Sequence, residues 1–148
     1  MDGVFCEVSE KAISEAEVFA RVRCESHGGM NFFFGSVRKE NGGKAVVHVS
    51  YDAFAPLAAR TFHDIAREAR ERWGDGMRIC IVHRIGKLAQ GEISVGVGVS
   101  SPHRDECYQA SRYVIEEIKR RAPIWKREAY ESGETEWLKG HMLCPGRG

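Results

Sequence analysis

Ser101-Pro102-His103-Arg104 opens a helical pattern that closes on Lys119-Arg120-Arg121-Ala122-Pro123-Ile124-Trp125-Lys126-Arg127-Glu128. Seven of these positions are Lys, Arg or His, in a chain whose formal net charge is only +1. The positive charge is therefore local, and a local cluster points to an anionic ligand. Lys119 falls in the last helical turn, where the helix dipole favours cations in any case. Lys126 follows Pro123, where dipole compensation no longer applies. Two lysines separated by a proline turn can fold toward one pocket. Like charges held close depress lysine pKa values, and a partly neutral amine acts as nucleophile or general base. Such a pair suits acyl or sulfur transfer onto an anionic substrate.

At the other end of the same helix, Ser100, Ser101, His103 and Arg104 surround the free N–H groups of the first turn, a good place for phosphate or carboxylate. The plain alternative is that Ser101 only caps the helix and Arg104 is solvated. Arg104 and Lys119 are fifteen positions apart, roughly 22 Å along a straight helix. No small ligand touches both within one chain. Either the two cationic ends serve different sites, or a second copy supplies one of them and the protein is a dimer with composite sites. Arg38 and Lys39 end a Phe-rich run and lead into a Gly-containing loop, a place where a strand end presents charge to a ligand. His83-Arg84 ends another strand in the same way.

The elements that must position these residues follow from periodicity. Val4, Cys6 and Val8 alternate as a strand, and Ser14-x-x-Glu17 has the form of a capping box ahead of Val18, Phe19 and Val22. Asn31 to Val37 and Ala45 to Tyr51 read as two strands joined by the Asn41-Gly42-Gly43 loop, a hairpin-like pair. Pro56 suits a helix start, and the apolar spacing from Leu57 to Ala69 continues the helix to Trp73-Gly74. Arg78 to Val82 and Ile93 to Val99 are core strands. Cys107, Ala110, Val114 and Ile118 trace one apolar stripe from Arg104, and Pro123 ends that helix by Arg121 or Ala122. Short strands at Arg127 to Tyr130 and Thr135 to Leu138 follow. The expected class is α+β, a mixed, largely antiparallel sheet with helices packed on it.

Composition sets the outer bounds. The 148 residues fit one domain, residues 1–148, with 29% charged and 43% hydrophobic residues and no apolar run long enough to cross a bilayer. The start has no secretory pattern, so the expected location is cytoplasmic, with no membrane partner. Near-neutral charge argues against a nucleic-acid partner. Cys6, Cys24, Cys80, Cys107 and Cys144 form no C-x-x-C pair, and the histidines lack ligand spacing, so reduced thiols and no metal are expected. No nucleotide-binding glycine motif is present, and no cofactor is expected.

Phe34-Gly35-Ser36-Val37-Arg38, Tyr51-Asp52-Ala53-Phe54, His83-Arg84-Ile85-Gly86-x-Leu88-x-x-Gly91-Glu92, Ser101-x-His103-Arg104 and Lys119-x-x-x-Pro123-x-Trp125-Lys126-x-Glu128 occur in that order. Together they resemble the large, catalytic subunit of molybdopterin synthase, over about residues 30 to 137. The resemblance implies the large-subunit fold, of α/β hammerhead type. It implies a homodimer within a heterotetramer, each large subunit binding a small ubiquitin-like sulfur-carrier subunit with a C-terminal Gly-Gly thiocarboxylate. The implied reaction delivers two sulfurs to cyclic pyranopterin monophosphate, opening its cyclic phosphate and forming the molybdopterin dithiolene. By motif position, Lys119 is the implied principal catalytic lysine and Lys126 its partner, with Arg38, His103 and Arg104 contacting substrate phosphate or pterin. A lysine beside the carrier thiocarboxylate would stabilise charge at the acyl carbon or activate the attack of sulfur. The tail from Lys139 to Gly148 departs from the family pattern, in a region near where the family's carrier docks. A non-catalytic scaffold that binds a ubiquitin-like tail or an anionic metabolite is the alternative.

Overall fold

Alternating valines and glycines in β7 (Ile93–Ser101) decide how the layers of this molecule assemble. In the computed structural model, which describes residues 1–133 and 135–139, β7 lies inside a four-stranded sheet. The sheet order is β1 (Val4–Ser9), β5 (Arg78–Arg84), β7, β2 (Gly29–Ser36). Only β1 and β5 run parallel; β5–β7 and β7–β2 are antiparallel. Val95, Val97 and Val99 point to one face, together with Ile79 and Ile81 of β5. That face is covered by α2 (Ala55–Trp73), through Ala58, Phe62, Ile65, Ala66 and Ala69, and by α3 (Arg104–Arg121), through Cys107, Ala110, Val114 and Ile118. On the opposite face Cys80 and Val82 pack with Val18 and Val22 of α1 (Glu15–Val22) and with Phe32 and Phe34. The glycines of β7 fall on this second face because the space is already filled. A Cβ at Gly96 would lie 2.9 Å from the Phe34 ring, and one at Gly98 would lie 3.0 Å from both Phe32 and Val18.

The remaining strands form a second sheet, built around β4 (Lys44–Ala53). β8 (Ile124–Tyr130) pairs with β4 and with β9 (Thr135–Lys139); β3 (Glu40–Asn41) and β6 (Gly86–Ala89) also pair with β4. All these pairings are antiparallel. The α+β class, mixed and largely antiparallel, is therefore as expected, with two sheets where one was expected. The expected pairing of the strands near residues 30 to 51 is also corrected. β2 pairs with β7 and β4 pairs with β8, so the two belong to different sheets. Asn41-Gly42-Gly43 does turn a hairpin, but a small one, with Asn41 opposite Lys44 and Gly42 and Gly43 at φ +60° and +82°. An apolar run shows that a strand forms; its partner, here about sixty residues away, leaves no local trace.

The helix limits follow their caps. Ser14 Oγ accepts from the Glu17 N–H at 3.2 Å, as its spacing predicts. Pro56 lies in the first turn of α2, and Gly74 ends it. Pro123 follows α3, and β8 starts one residue later, three residues before the expected start at Arg127, and ends at Tyr130 as expected; β9 runs one residue past the expected Leu138. Among the described residues, no helix is long and apolar enough to cross a membrane. Residues 140–148 lie outside the described residues, and with them the expectation about the tail and Cys144.

Candidate active site where the two sheets meet

The chain passes from the first sheet to the second at a corner. β5 ends at Arg84 and β6 begins at Gly86, whose φ of +98° makes the change of direction. Arg84 is held in this corner by Glu92 at 3.2 Å and by the Glu10 carbonyl at 3.1 Å. It therefore serves the fold rather than presenting charge to a ligand, which corrects the expectation for His83-Arg84. His83, just before it, is 4% exposed, and its Nδ1 lies 2.9 Å from the Arg84 carbonyl oxygen. The His83 ring meets the ring of buried Tyr51 at 5.1 Å between centroids and 68° between planes. Burial pushes the imidazole down to about 4, opposed by the Arg84 carbonyl and assisted by the nearby charge of Lys119. Tyr51 lies directly across the β4–β8 pair from Lys126. One aromatic pair thus joins the neighbourhoods of the two lysines.

Lys126 is mostly buried, with its Nζ 2.9 Å from Glu128 Oε2. Glu128, on the same face of β8 two residues on, is 4% exposed and accepts further hydrogen bonds from Asn41 Nδ2 at 2.7 Å and from the Tyr130 hydroxyl. Burial alone would raise its carboxyl, but the hydrogen bonds from Tyr130, Lys126 and Asn41 together bring it below the usual range. Asn41 accepts in turn from Arg38 Nη2 at 3.2 Å. Arg38 and Lys126 are therefore tied through Asn41 and Glu128 into one chain of polar contacts. The like-charge crowding expected around Lys126 is accompanied by a counter-charge absent from the sequence reading.

Lys119 is half-buried and lines a groove of about 520 Å³ between α3 and the edge strand β2. Asn31, Phe33, Tyr108, Ser111 and Ile115 line the same groove, and Asn31 Nδ2 donates to Ser111 Oγ at 2.7 Å across it. The neighbouring cations are used differently. Arg121 grips Glu68 of α2 with both terminal nitrogens, at 2.7 and 3.1 Å, and Arg120 pairs with Glu117 at 2.6 Å. Arg121 thus ties α3 to α2, whereas the Arg120 pair is a contact within α3 by a mostly exposed side chain, and Lys119 alone of the three lines the groove.

His103 and Arg104 are exposed at the opposite end of α3 and do not approach Lys119. His103 is the N-cap and makes no side-chain capping bond. Ser101 is buried and donates instead to the His103 carbonyl at 2.7 Å, so it does not cap the helix as the simplest alternative had it. The first-turn N–H groups thus have no side-chain cap beside two exposed cationic side chains. Gly28 and Gly29 let β2 pass under this end: a Cβ on Gly29 would stand 3.2 to 3.3 Å from backbone atoms of His103 and Arg104.

Among the described residues, no group of three or more His, Cys, Asp or Glu side chains is arranged to hold a metal ion. The described cysteines are free, and burial pushes the thiols of Cys6 and Cys80 up to about 12, which suits packing rather than nucleophilic work.

The family model described as "MoaE protein" matches residues 8–121, most of the chain. The chain belongs to the MoaE family. It is 42% identical over 123 residues to the molybdopterin synthase catalytic subunit of Synechococcus elongatus, covering 83% of this chain and 74% of that relative. It is 39% identical over 132 residues to the catalytic subunit of Bacillus subtilis, covering 89% and 83%. Among solved structures, molybdopterin synthase from Staphylococcus aureus superposes with a TM-score of 0.85 at 36% identity, over 93% of this chain and 98% of that one. A second is the molybdopterin biosynthesis MoaE protein of Burkholderia ambifaria, with a TM-score of 0.78 at 27% identity, over 93% and 90%. The MoaE match takes in Arg38, His103, Arg104 and Lys119, and ends before Lys126. Asn41, Tyr51 and His83 also lie within it; sequence reasoning gave Asn41 and Tyr51 no role at the site and offered His83 only as part of a strand end that presents charge. Tyr51 was visible only as a motif letter, and Asn41 only as a turn residue.

Proposed function

We propose that this chain is the catalytic subunit of a molybdopterin synthase, acting in the cytoplasm. It would transfer sulfur from the thiocarboxylate of a small, ubiquitin-like carrier subunit to cyclic pyranopterin monophosphate. The observation that carries the reading is the approach of Lys119 and Lys126 from two elements to one buried Tyr51–His83 pair, with Arg38 tied in through Asn41 and Glu128. In this reading the thiocarboxylate tail lies against the lysines, whose ammonium groups stabilise the negative charge that develops as sulfur leaves the acyl carbon. Arg38 meets the substrate's phosphate or pterin as an exposed, forked donor.

His103 and Arg104 complete the site from a second copy. Arg104, Tyr108, Arg112, Ile115 and Lys119 follow one another at steps of three and four along α3, so they share one stripe. Tyr108, Arg112, Ile115 and Lys119 line the groove beside β2. Residues 104 and 119 are symmetric about a point between Ser111 and Arg112. A two-fold axis at that point sets the start of one α3 beside the end of the other. Each dimer then holds two sites, each made of Lys119, Lys126 and Arg38 from one chain and His103 and Arg104 from its partner, with a carrier subunit at each.

The test is complementation between inactive chains. Arg104→Ala and Lys119→Ala each lose turnover with thiocarboxylated carrier and cyclic pyranopterin monophosphate. Mixing them under conditions of proven subunit exchange restores up to about a quarter of wild-type activity, since one hybrid site is intact and hybrids form half of a random mixture. Full turnover in Lys119→Ala overturns the assignment of that lysine, and no recovery in exchanged mixtures overturns the shared site. A scaffold that only binds a tail or a metabolite has no observation that favours it, and it predicts binding without turnover.

A further inference from the structure

We propose that His83 is a positioning residue for the transfer site, a neutral imidazole that fixes Tyr51 and the surroundings of Lys119 through its hydrogen bond to the Arg84 carbonyl. The inference rests on the reading of Lys119 and Lys126 as the transfer site, and goes beyond it by giving work to a residue that touches neither carrier nor substrate.

Three observations carry it. His83 is the next-to-last residue of β5, just before the first sheet gives way to the second, so its backbone is set by pairing with Val8 on one side and Val95 on the other. Its ring contacts Tyr51, which faces Gly86 on one neighbouring strand and Lys126 on the other. A buried imidazole that is neutral and lies 2.9 Å from a carbonyl oxygen must carry its hydrogen on Nδ1, because a carbonyl only accepts. Nε2 then carries the lone pair, in a ring that feels the charge of Lys119. A protonated ring at this place would add a third positive charge beside two lysines. A purely apolar ring would fill the same volume, but would leave the Arg84 carbonyl without its donor at the corner that aims Tyr51. The imidazole meets both requirements.

The test separates positioning from packing by the rank order of two substitutions. His83→Asn keeps an N–H where Nδ1 stands but shortens the ring; His83→Phe keeps the ring but has no donor. Positioning predicts that His83→Phe loses at least about tenfold in kcat, with KM for the carrier little changed, and that His83→Asn recovers part of that loss. Packing alone predicts the reverse order, with His83→Phe nearly wild type, and that result overturns the proposal. Lys119→Ala is run alongside. If it keeps full turnover, the transfer-site reading fails; if it is inactive while His83→Phe is fully active, only the present inference fails.

A second measurement needs no stable His83 variant. In long-range ¹H–¹⁵N spectra of the full-length protein, His83 is expected as the neutral Nδ1–H tautomer at pH 7, and Lys119→Ala is expected to move its ring resonances. An imidazolium, an Nε2–H tautomer, or a ring indifferent to Lys119→Ala overturns the proposal.

Discussion

Glu128 is the residue on which the arrangement around Lys126 turns. It is nearly fully buried and holds Lys126, Asn41 and Tyr130 at once, so replacing its charge leaves a mostly buried ammonium without its partner. Glu128→Gln is expected to cost about 2 kcal/mol at pH 7, the range for hydrogen bonds to a charged group. The sign of the pH dependence follows from its lowered carboxyl. A carboxylate whose folded value lies below its unfolded one contributes stability in full above the unfolded value, about 4.3, and loses it as pH falls through the folded value. The gap between wild type and Glu128→Gln in urea unfolding should therefore stay constant from pH 7 to about 4.5 and narrow below that. A gap that holds or widens in acid would show that the hydrogen bonds do not depress this group. Lys119, Lys126, Arg38, His103 and Arg104 stand out in the sequence because charge and helical spacing are local properties, and the resemblance supplied the roles proposed for them. Glu128 was visible as a motif letter and Asn41 as a turn, yet their contact spans 87 positions and depends on how β3 and β8 flank β4. No local pattern encodes that.

Elements place these residues through close backbone approach as much as through pairing. The Gly28-Gly29 pair reads from sequence as a loop before a strand, and its use appears only when α3 is seen to start on top of it. The neighbours of a Cβ at Gly29 are backbone atoms of His103 and Arg104, which cannot rotate away as a side chain can. Gly29→Ala should therefore displace the start of α3 by a few tenths of an ångström and cost about 1–3 kcal/mol, as overpacking does. In the shared-site reading it should also raise KM for the pterin substrate more than it lowers kcat, because it moves His103 and Arg104 and leaves the lysines in place. Urea unfolding and steady-state kinetics on the same sample test both parts. An unchanged KM with the full stability loss would detach this helix end from substrate binding. The same limit explains the hairpin that did not form. Asn31 to Val37 carries apolar residues on both faces, which marks a strand between two layers, but whether β4 or β7 lies beside it is a property of the assembled sheet.

At the scale of the whole molecule, the two-fold axis proposed near Ser111 and Arg112 fixes which side chains meet between copies. About that axis, positions that sum to 223 would face each other, so Tyr108 would stand opposite Ile115 of the partner subunit, and Arg104 opposite Lys119 of the partner subunit. The first pair is apolar against apolar: Tyr108 is 64% exposed in the single chain, and that exposure is what the second copy would remove. The second pair sets cation against cation, which opposes association unless an anion lies between them. The dimer should therefore be held by its centre and loosened at its ends, and an anionic ligand should tighten it. By linkage, a ligand that binds only the assembled site lowers the dimer dissociation constant, for each site, by a factor of one plus the ratio of free ligand concentration to its Kd. Sedimentation of the wild-type chain should give a dissociation constant that falls at least about tenfold when cyclic pyranopterin monophosphate is added at a hundred times its own binding constant. Tyr108→Asp should leave the chain folded and raise the constant by a similar factor, since it places a charge against Ile115 of the partner subunit. Arg104→Ala should do the opposite in the absence of substrate, tightening the empty dimer by removing one cation of each facing pair, and should abolish the response to substrate. A ligand-independent constant, or an Arg104→Ala dimer weaker than wild type, would show that the two cationic ends of α3 do not meet across the axis.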